Sequence, residues 1–247
     1  MNKYSKFIKQ MKEGENMKVY EFKLKVYVLE NMNSKRSLEY ISQLIDKSFL
    51  KNKELSDFHE ENAFKNYVHN SFYPVEKSKI YQKGNIYTII IRTVDERLAD
   101  HFEKYLANEY TRYLKALTVE KSIIPDRGII EKIYSITPAV AKFEEGYWRK
   151  SESVGNYEKR LMGNIIKKYN DYFNEKIEEN FELFTFLKFD NMKPVASEFK
   201  NIQLLGDKLT LYVAENKMAQ KLAYFALGVG ILELNSRGFG YVNCKWF

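Results

Sequence analysis

Along residues 18 to 30 the even positions Tyr20, Phe22, Leu24, Val26 and Val28 are apolar, while Glu21, Lys23 and Lys25 between them are charged. Side chains of an extended chain alternate between two faces, so this pattern predicts a strand buried on one side. The period then lengthens. Leu38, Ile41, Leu44, Ile45 and Phe49 recur at steps of three and four, the stripe of a one-sided helix, with Asn33 or Ser34 placed to cap it and a lysine-rich stretch to end it. Residues 66 to 75 and the β-branched run 86 to 94 read as a hairpin turning at Lys83, Gly84 and Asn85. Asp95 can cap a second helix with Leu98, Phe102, Tyr105 and Leu106 on one face, and a strand near 113 to 119 completes β-α-β-β-α-β.

Pro125, Asp126, Arg127 and Gly128 punctuate the chain and form the best candidate linker. A second unit follows. Residues 129 to 143 are strand-like, 156 to 177 form a helix with Leu161, Ile165, Ile166, Tyr169, Tyr172 and Phe173 inward, and strands follow at 183 to 189 and 208 to 213. A short helix over 218 to 227 and a closing strand over 239 to 247 repeat the first plan, with a glycine-rich insert between them. The expected fold is α+β, two tandem ferredoxin-like (RRM-like) units over 17–124 and 129–247 with a C-terminal glycine-rich loop. Residues 1 to 16 are polar and are left outside this fold. No sequence repeat links the halves; only element order does.

Hydrophobic residues make up 45% of the 247, enough for one large core or two small ones, so a disordered chain is not expected. Lys and Arg total 40 against 33 acids, a formal charge of +7, which suits a polyanionic partner but also fits an ordinary solvated surface. The 19 tyrosines and 17 phenylalanines offer stacking faces for bases beyond those that fill the core. Cys244 is alone, so neither an internal disulfide nor a cysteine-rich metal site is available, and a reducing, cytoplasmic compartment is the expectation. No apolar run is long enough for a membrane span or a signal peptide. Zinc spacing, a Walker loop and an acidic metal cluster are all missing from the pattern, and no metal or cofactor is expected.

Residues 228 to 240 read Gly-Val-Gly-Ile-Leu-Glu-Leu-Asn-Ser-Arg-Gly-Phe-Gly, two Gly-x-Gly pairs between a helix and a strand. Paired glycines let backbone amides approach phosphates, and Asn235, Ser236 and Arg237 add donors and charge. Either pair alone reads more simply as a helix C-cap at Gly228 or a bulged strand entry at Gly238. Together, with Asn-Ser-Arg between, they resemble the C-terminal signature of the repeat-associated RNA-binding (RAMP) superfamily, and within it the sixth CRISPR-associated family, the endoribonucleases that process repeat RNA. Only the loop is a sharp match; the remainder agrees in element order. The resemblance implies two facing ferredoxin-like units, CRISPR repeat RNA as partner, and RNA contact for Gly228, Gly230, Asn235, Ser236, Arg237, Gly238 and Gly240.

That family places a histidine after the first helix, often with a lysine a few residues on, and His59 with Lys65 occupies that position here. The implied chemistry is internal attack by a ribose 2′-hydroxyl on its own phosphate, leaving a 2′,3′-cyclic phosphate and a 5′-hydroxyl without a metal. Imidazole can serve as base or acid at neutral pH, the flanking Glu60 and Glu61 suit an acid role, and Lys65 would oppose negative charge on the phosphorane. His69, expected on a strand, and His101, expected on a helix surface, are the rivals. Some members add a tyrosine on the first helix; residues 44 to 47 contain none, and Tyr40, about 1.7 turns earlier, is the substitute candidate, read otherwise as a tyrosine at the core edge.

Other basic residues have two readings each. Trp148, Arg149, Lys150 and Ser151 could clamp a nucleotide or form an exposed loop, and Lys159, Arg160, Lys167 and Lys168 read as a solvated helix face. The principal functional expectation is an endoribonuclease. A non-catalytic RNA-binding subunit of a CRISPR effector complex and a general single-stranded RNA binder are the alternatives, the last from the echo of a ribonucleoprotein motif in Arg237-Gly238-Phe239-Gly240-Tyr241. Effector subunits and a homodimer partner are left open.

Overall fold

The computed structural model describes residues 17–61 and 63–247, so the polar stretch 1–16 set aside above lies outside the described residues. β1, Tyr20–Val28, keeps the expected alternation, with Tyr20, Phe22, Leu24, Val26 and Val28 all buried. After the short β2, Met32–Asn33, the Asn33 side chain accepts from Lys35 N and opens a 3-10 turn that runs into α1, Ser37–Phe49. Every residue of the forecast stripe is buried there.

A second helix, α2, Lys53–Glu60, occupies the stretch read as the lysine-rich end of the first. Asn52 caps it by accepting from Leu55 N. Only Leu55 and Phe58 are buried along it, too few to make a periodic signal in so short a run. β3, Tyr67–His69, is also shorter than the strand expected over 66 to 75, because Asn70 Oδ1 accepts from Ile90 N and replaces a backbone rung of the ladder. β4, Ile80–Tyr81, pairs with β2, and β5, Ile86–Thr93, leads to Asp95, which caps α3, Glu96–Tyr105, as expected. β6, Leu114–Ile123, closes an antiparallel sheet ordered β3-β5-β1-β6. α1 and α3 share one core with the sheet, where Phe22 meets Phe102 edge to face at 5.8 Å.

β7, Ile130–Ser135, begins the second sheet and stops before Pro138, which has no amide hydrogen to continue a ladder; the strand expected to reach 143 instead makes isolated bridges at Ala139 and Val140. α4, Val154–Phe173, ends where Asn174 turns left-handed at φ 51°. β8, Phe184–Phe189, is followed by a hairpin the sequence pattern did not reveal, β9, Val195–Phe199, and β10, Ile202–Gly206, turning through Lys200 and Asn201 at φ 46° and 64°. β11, Leu209–Val213, α5, Lys217–Val229, and β12, Val242–Trp246, complete the chain. The second sheet is ordered β12-β7-β11-β8, the same arrangement as the first, so the chain is two ferredoxin-like units in tandem.

The units are joined by packing as well as by the chain. Val19 and Val94 of the first unit belong to the core of the second, and a Cβ at Gly228 would lie 2.6 Å from Val94 Cγ1, so α5 approaches the first sheet as closely as a glycine permits. Arg92 crosses the junction, donating to Val242 O at 2.7 Å and Asn243 Oδ1 at 2.9 Å while pairing with Glu21 at 2.8 Å. Tyr172 and Tyr224 donate across it to Val94 O and Ile124 O.

Candidate active site

Three short elements converge where the units meet: the last turns of α1 and α2, and the 3-10 turn Asn235–Arg237 of the glycine-rich segment. His59, in the last turn of α2, stacks on Phe49 at 4.9 Å with 30° between rings. Its Nε2 lies 3.0 Å from Asp46 Oδ1, a close approach that is not aligned as a hydrogen bond, and both atoms are shut off from solvent. The other Asp46 oxygen pairs with Arg237. Burial alone would raise the Asp46 carboxyl, but His59 and the guanidinium outweigh it and hold the group below its ordinary value. A histidine of one unit and an arginine of the other are thereby joined through one carboxylate.

Lys65 stands beside this cluster. Its ammonium donates to Phe58 O and Glu61 O, both at 2.6 Å, closing the end of α2, where carbonyls lack helical partners. Burial lowers its pKa, Glu61 opposes that, and the nearby Arg237 adds to it. Tyr67 on β3 has a buried hydroxyl raised by burial and by the Asp46 charge.

The rival histidines are both interior. His69 is fully buried, with Nδ1 2.9 Å from Asn70 O and Nε2 3.2 Å from Ser42 Oγ, and burial holds its pKa at about 4. His101, expected on a helix surface, is instead buried on the far side of Phe49 at 4.9 Å, with Nε2 3.1 Å from Ser48 Oγ; burial and Lys51 hold it at about 4. Tyr40 is not brought to the cluster: it stacks on Tyr113 at 4.0 Å beneath Arg36, and burial with the Tyr113 contact pushes it up to about 12.

The glycine-rich segment is a knot rather than an open cradle. Gly228 lies inside α5, and Gly230, Gly238 and Gly240 have φ of 74°, 84° and 67°, conformations that L side chains rarely adopt. A Cβ on Gly238 would meet His69 Cε1 at 2.5 Å. Asn235 is buried and its amide donates to Ile231 O and Phe239 O, each at 2.9 Å. Lys168, expected on a solvated face, is buried and donates to Gly230 O, Leu232 O and Asn235 Oδ1 at 3.1, 2.7 and 2.6 Å, and burial lowers it to about 7. Of the residues expected to touch RNA, only Ser236 and Arg237 are half-exposed; the four glycines and Asn235 face protein and shape the turn that presents them.

The Trp148 stretch is likewise structural. Buried Asp207 accepts from Tyr147 Oη, Trp148 Nε1, Arg149 and Asn191 at 2.7–3.0 Å, which buries the Trp148 ring, while Arg149, Lys150 and Ser151 stay on the exposed loop. Sequence reasoning missed Asp46 and the inward turn of Lys168. Each left a trace: Asp46 is an acid in the last turn of a helix, where the macrodipole disfavours negative charge, and Lys168 continues the inward spacing of Leu161, Ile165 and Tyr172.

Among the described residues no group of three or more His, Cys, Asp and Glu is arranged to hold a metal ion, and no helix is long and apolar enough to cross a membrane. The sequence matches no protein-family model and no curated protein. Solved structures do match over nearly the whole chain. A RAMP protein described as binding different RNA substrates superposes with a TM-score of 0.72 at 15% identity, over 92% of this chain and 99% of its own. A CRISPR-associated Cas6 protein gives 0.67 at 18% identity over 92% and 99%, and a Cas6-related protein of Pyrococcus furiosus gives 0.66 at 15% over 92% and 98%. The chain has the tandem ferredoxin-like fold of the Cas6 and RAMP structures.

Proposed function

We propose that the protein is an endoribonuclease of the cytoplasm that cuts CRISPR repeat RNA without a metal, by attack of a ribose 2′-hydroxyl on the adjacent phosphate. The observation that carries this reading is the meeting of His59 and Arg237, one from each unit, at Asp46 on a fold shared with Cas6 proteins. His59 is the half-buried histidine, while His69 and His101 are interior and held neutral, so His59 is the imidazole within reach of RNA. Arg237 supplies positive charge and a planar donor fork suited to phosphate oxygens. Lys65 adds charge beside it, although its ammonium is committed to two carbonyls and would have to be shared. Tyr40 has no part in this mechanism. Gly228, Gly230, Gly238, Gly240 and Asn235 act by holding the turn, and Ser236 and Arg237 by touching RNA.

The test is incubation in EDTA with precursor RNA from the CRISPR array of the same genome. The expected products are one cut per repeat, a 2′,3′-cyclic phosphate and a 5′-hydroxyl, with a 2′-deoxy nucleotide at the cut site blocking cleavage and sparing binding. RNA that is shifted but left intact would favour the non-catalytic RNA-binding subunit instead.

A further inference from the structure

We infer that Asp46 is the positioning residue of this site: its carboxylate fixes the proton of His59 on Nε2 and leaves Nδ1 as the nitrogen that faces RNA, while its second oxygen holds Arg237 at the same point. The inference rests on the reading that His59 serves cleavage.

The geometry leaves His59 little choice of nitrogen. Nε2 is 3.0 Å from Asp46 Oδ1 and sealed from solvent, so no substrate atom can reach it without breaking the pair. An ionised carboxylate only accepts, so the nitrogen facing it carries hydrogen. Phe49 covers one ring face, with His101 on the far side of Phe49, which resists a flip of the imidazole. Nδ1 makes no hydrogen bond among the described residues.

The charged and titratable groups around the ring come from every neighbouring element. α1 supplies Asp46, the 3-10 turn Arg237, the segment after α2 Lys65, β3 Tyr67 and His69, α3 the neutral His101, and its own helix Asp57 and Glu60. Of these, Asp46 is the carboxylate in contact with the ring, so it orients the imidazole most directly. In the step this serves, the O2′–P bond forms as the 2′-hydroxyl proton leaves to solvent. The P–O5′ bond breaks with its electron pair on O5′, and the Nδ1 proton transfers there, leaving neutral His59 with hydrogen on Nε2. A carboxylate that orients an imidazole in one tautomer is a recurrent catalytic device.

Two measurements test this. Imidazole ¹⁵N spectra of the wild-type protein, with His59 assigned by comparison with His59→Ala, should show the neutral ring protonated on Nε2; a ring protonated on Nδ1 would overturn the inference whether or not RNA is cut. With repeat RNA, Asp46→Asn should lower kcat about tenfold or more at little change in KM. Unchanged kcat in a folded Asp46→Asn protein would also overturn it. A wild-type protein that shows the Nε2–H ring yet cuts no RNA supports the positioning of His59 and sinks the cleavage reading instead.

Discussion

Asp46 and Asp207 are both carboxylates gathered by cations and donors, and they differ in how completely they are satisfied. Asp207 is fully buried within one unit and accepts aligned hydrogen bonds from Tyr147, Trp148, Arg149 and Asn191. Asp46 joins two units, keeps a third of its side chain exposed, and meets His59 off the line of a hydrogen bond. A saturated carboxylate has no capacity left for a ligand, and removing it strands its donors. An incompletely satisfied one can hold an arginine and a histidine at one point while the remaining donors of the guanidinium stay available to a phosphate. The contrast separates a structural anion from the one proposed to position His59 more sharply than burial or charge alone.

The most severe test removes the imidazole beside Asp46. His59→Ala should lower repeat-RNA cleavage by about 10²–10⁴-fold with little loss of affinity, measured by single-turnover kinetics; if His69→Ala is the inactive variant, the site moves to β3. At the saturated carboxylate, Asp207→Ala should cost about 3–5 kcal/mol of stability by denaturant unfolding and leave cleavage per folded molecule unchanged. A loss of activity without a loss of stability there would erase the distinction between the two clusters.

Acid separates them in a third way. His69 and His101 are held at about 4 when folded, below the ordinary histidine value near 6.5. Their folded-state values are depressed, so between these limits the unfolded chain binds protons that the folded chain refuses. Stability is therefore full above pH ~6.5 and falls as pH drops toward ~4, by about 1–3 kcal/mol for each histidine, as thermal melts across this range would record. His69→Gln should flatten that slope. The smallest expected effect is at Arg237: replacement by Ala should weaken RNA binding roughly tenfold and reduce the salt slope by about one, read from titrations at several salt concentrations.

The candidate site was legible in the chain only unevenly. His59 and Arg237 were named through the family resemblance, from a histidine placed after the first helix and from the glycine-rich insert. Asp46 could not, because its partners lie 13 and 191 residues away and nothing local distinguishes it from a surface acid. The glycines were recognised as a group, yet Gly230 and Gly240 pack against the Asn235 amide within their own unit, and Gly238 packs against His69 and Leu38 only after the two units meet.

Hydrophobic periodicity by itself determined the two sheets, most helices and their order, since alternation by two and by three to four decides which face each element must bury. Short or weakly apolar pieces escaped it, α2 and the β9–β10 hairpin above all, because elements with few buried residues draw their stability from neighbours. Only the tertiary structure decided that Lys168 turns inward to tie the glycine-rich segment and that Asp46 stands between His59 and Arg237. Charge on a side chain is written in the sequence; the partner that makes burying it tolerable is chosen by tertiary packing, within one unit for Lys168 and between the two for Asp46.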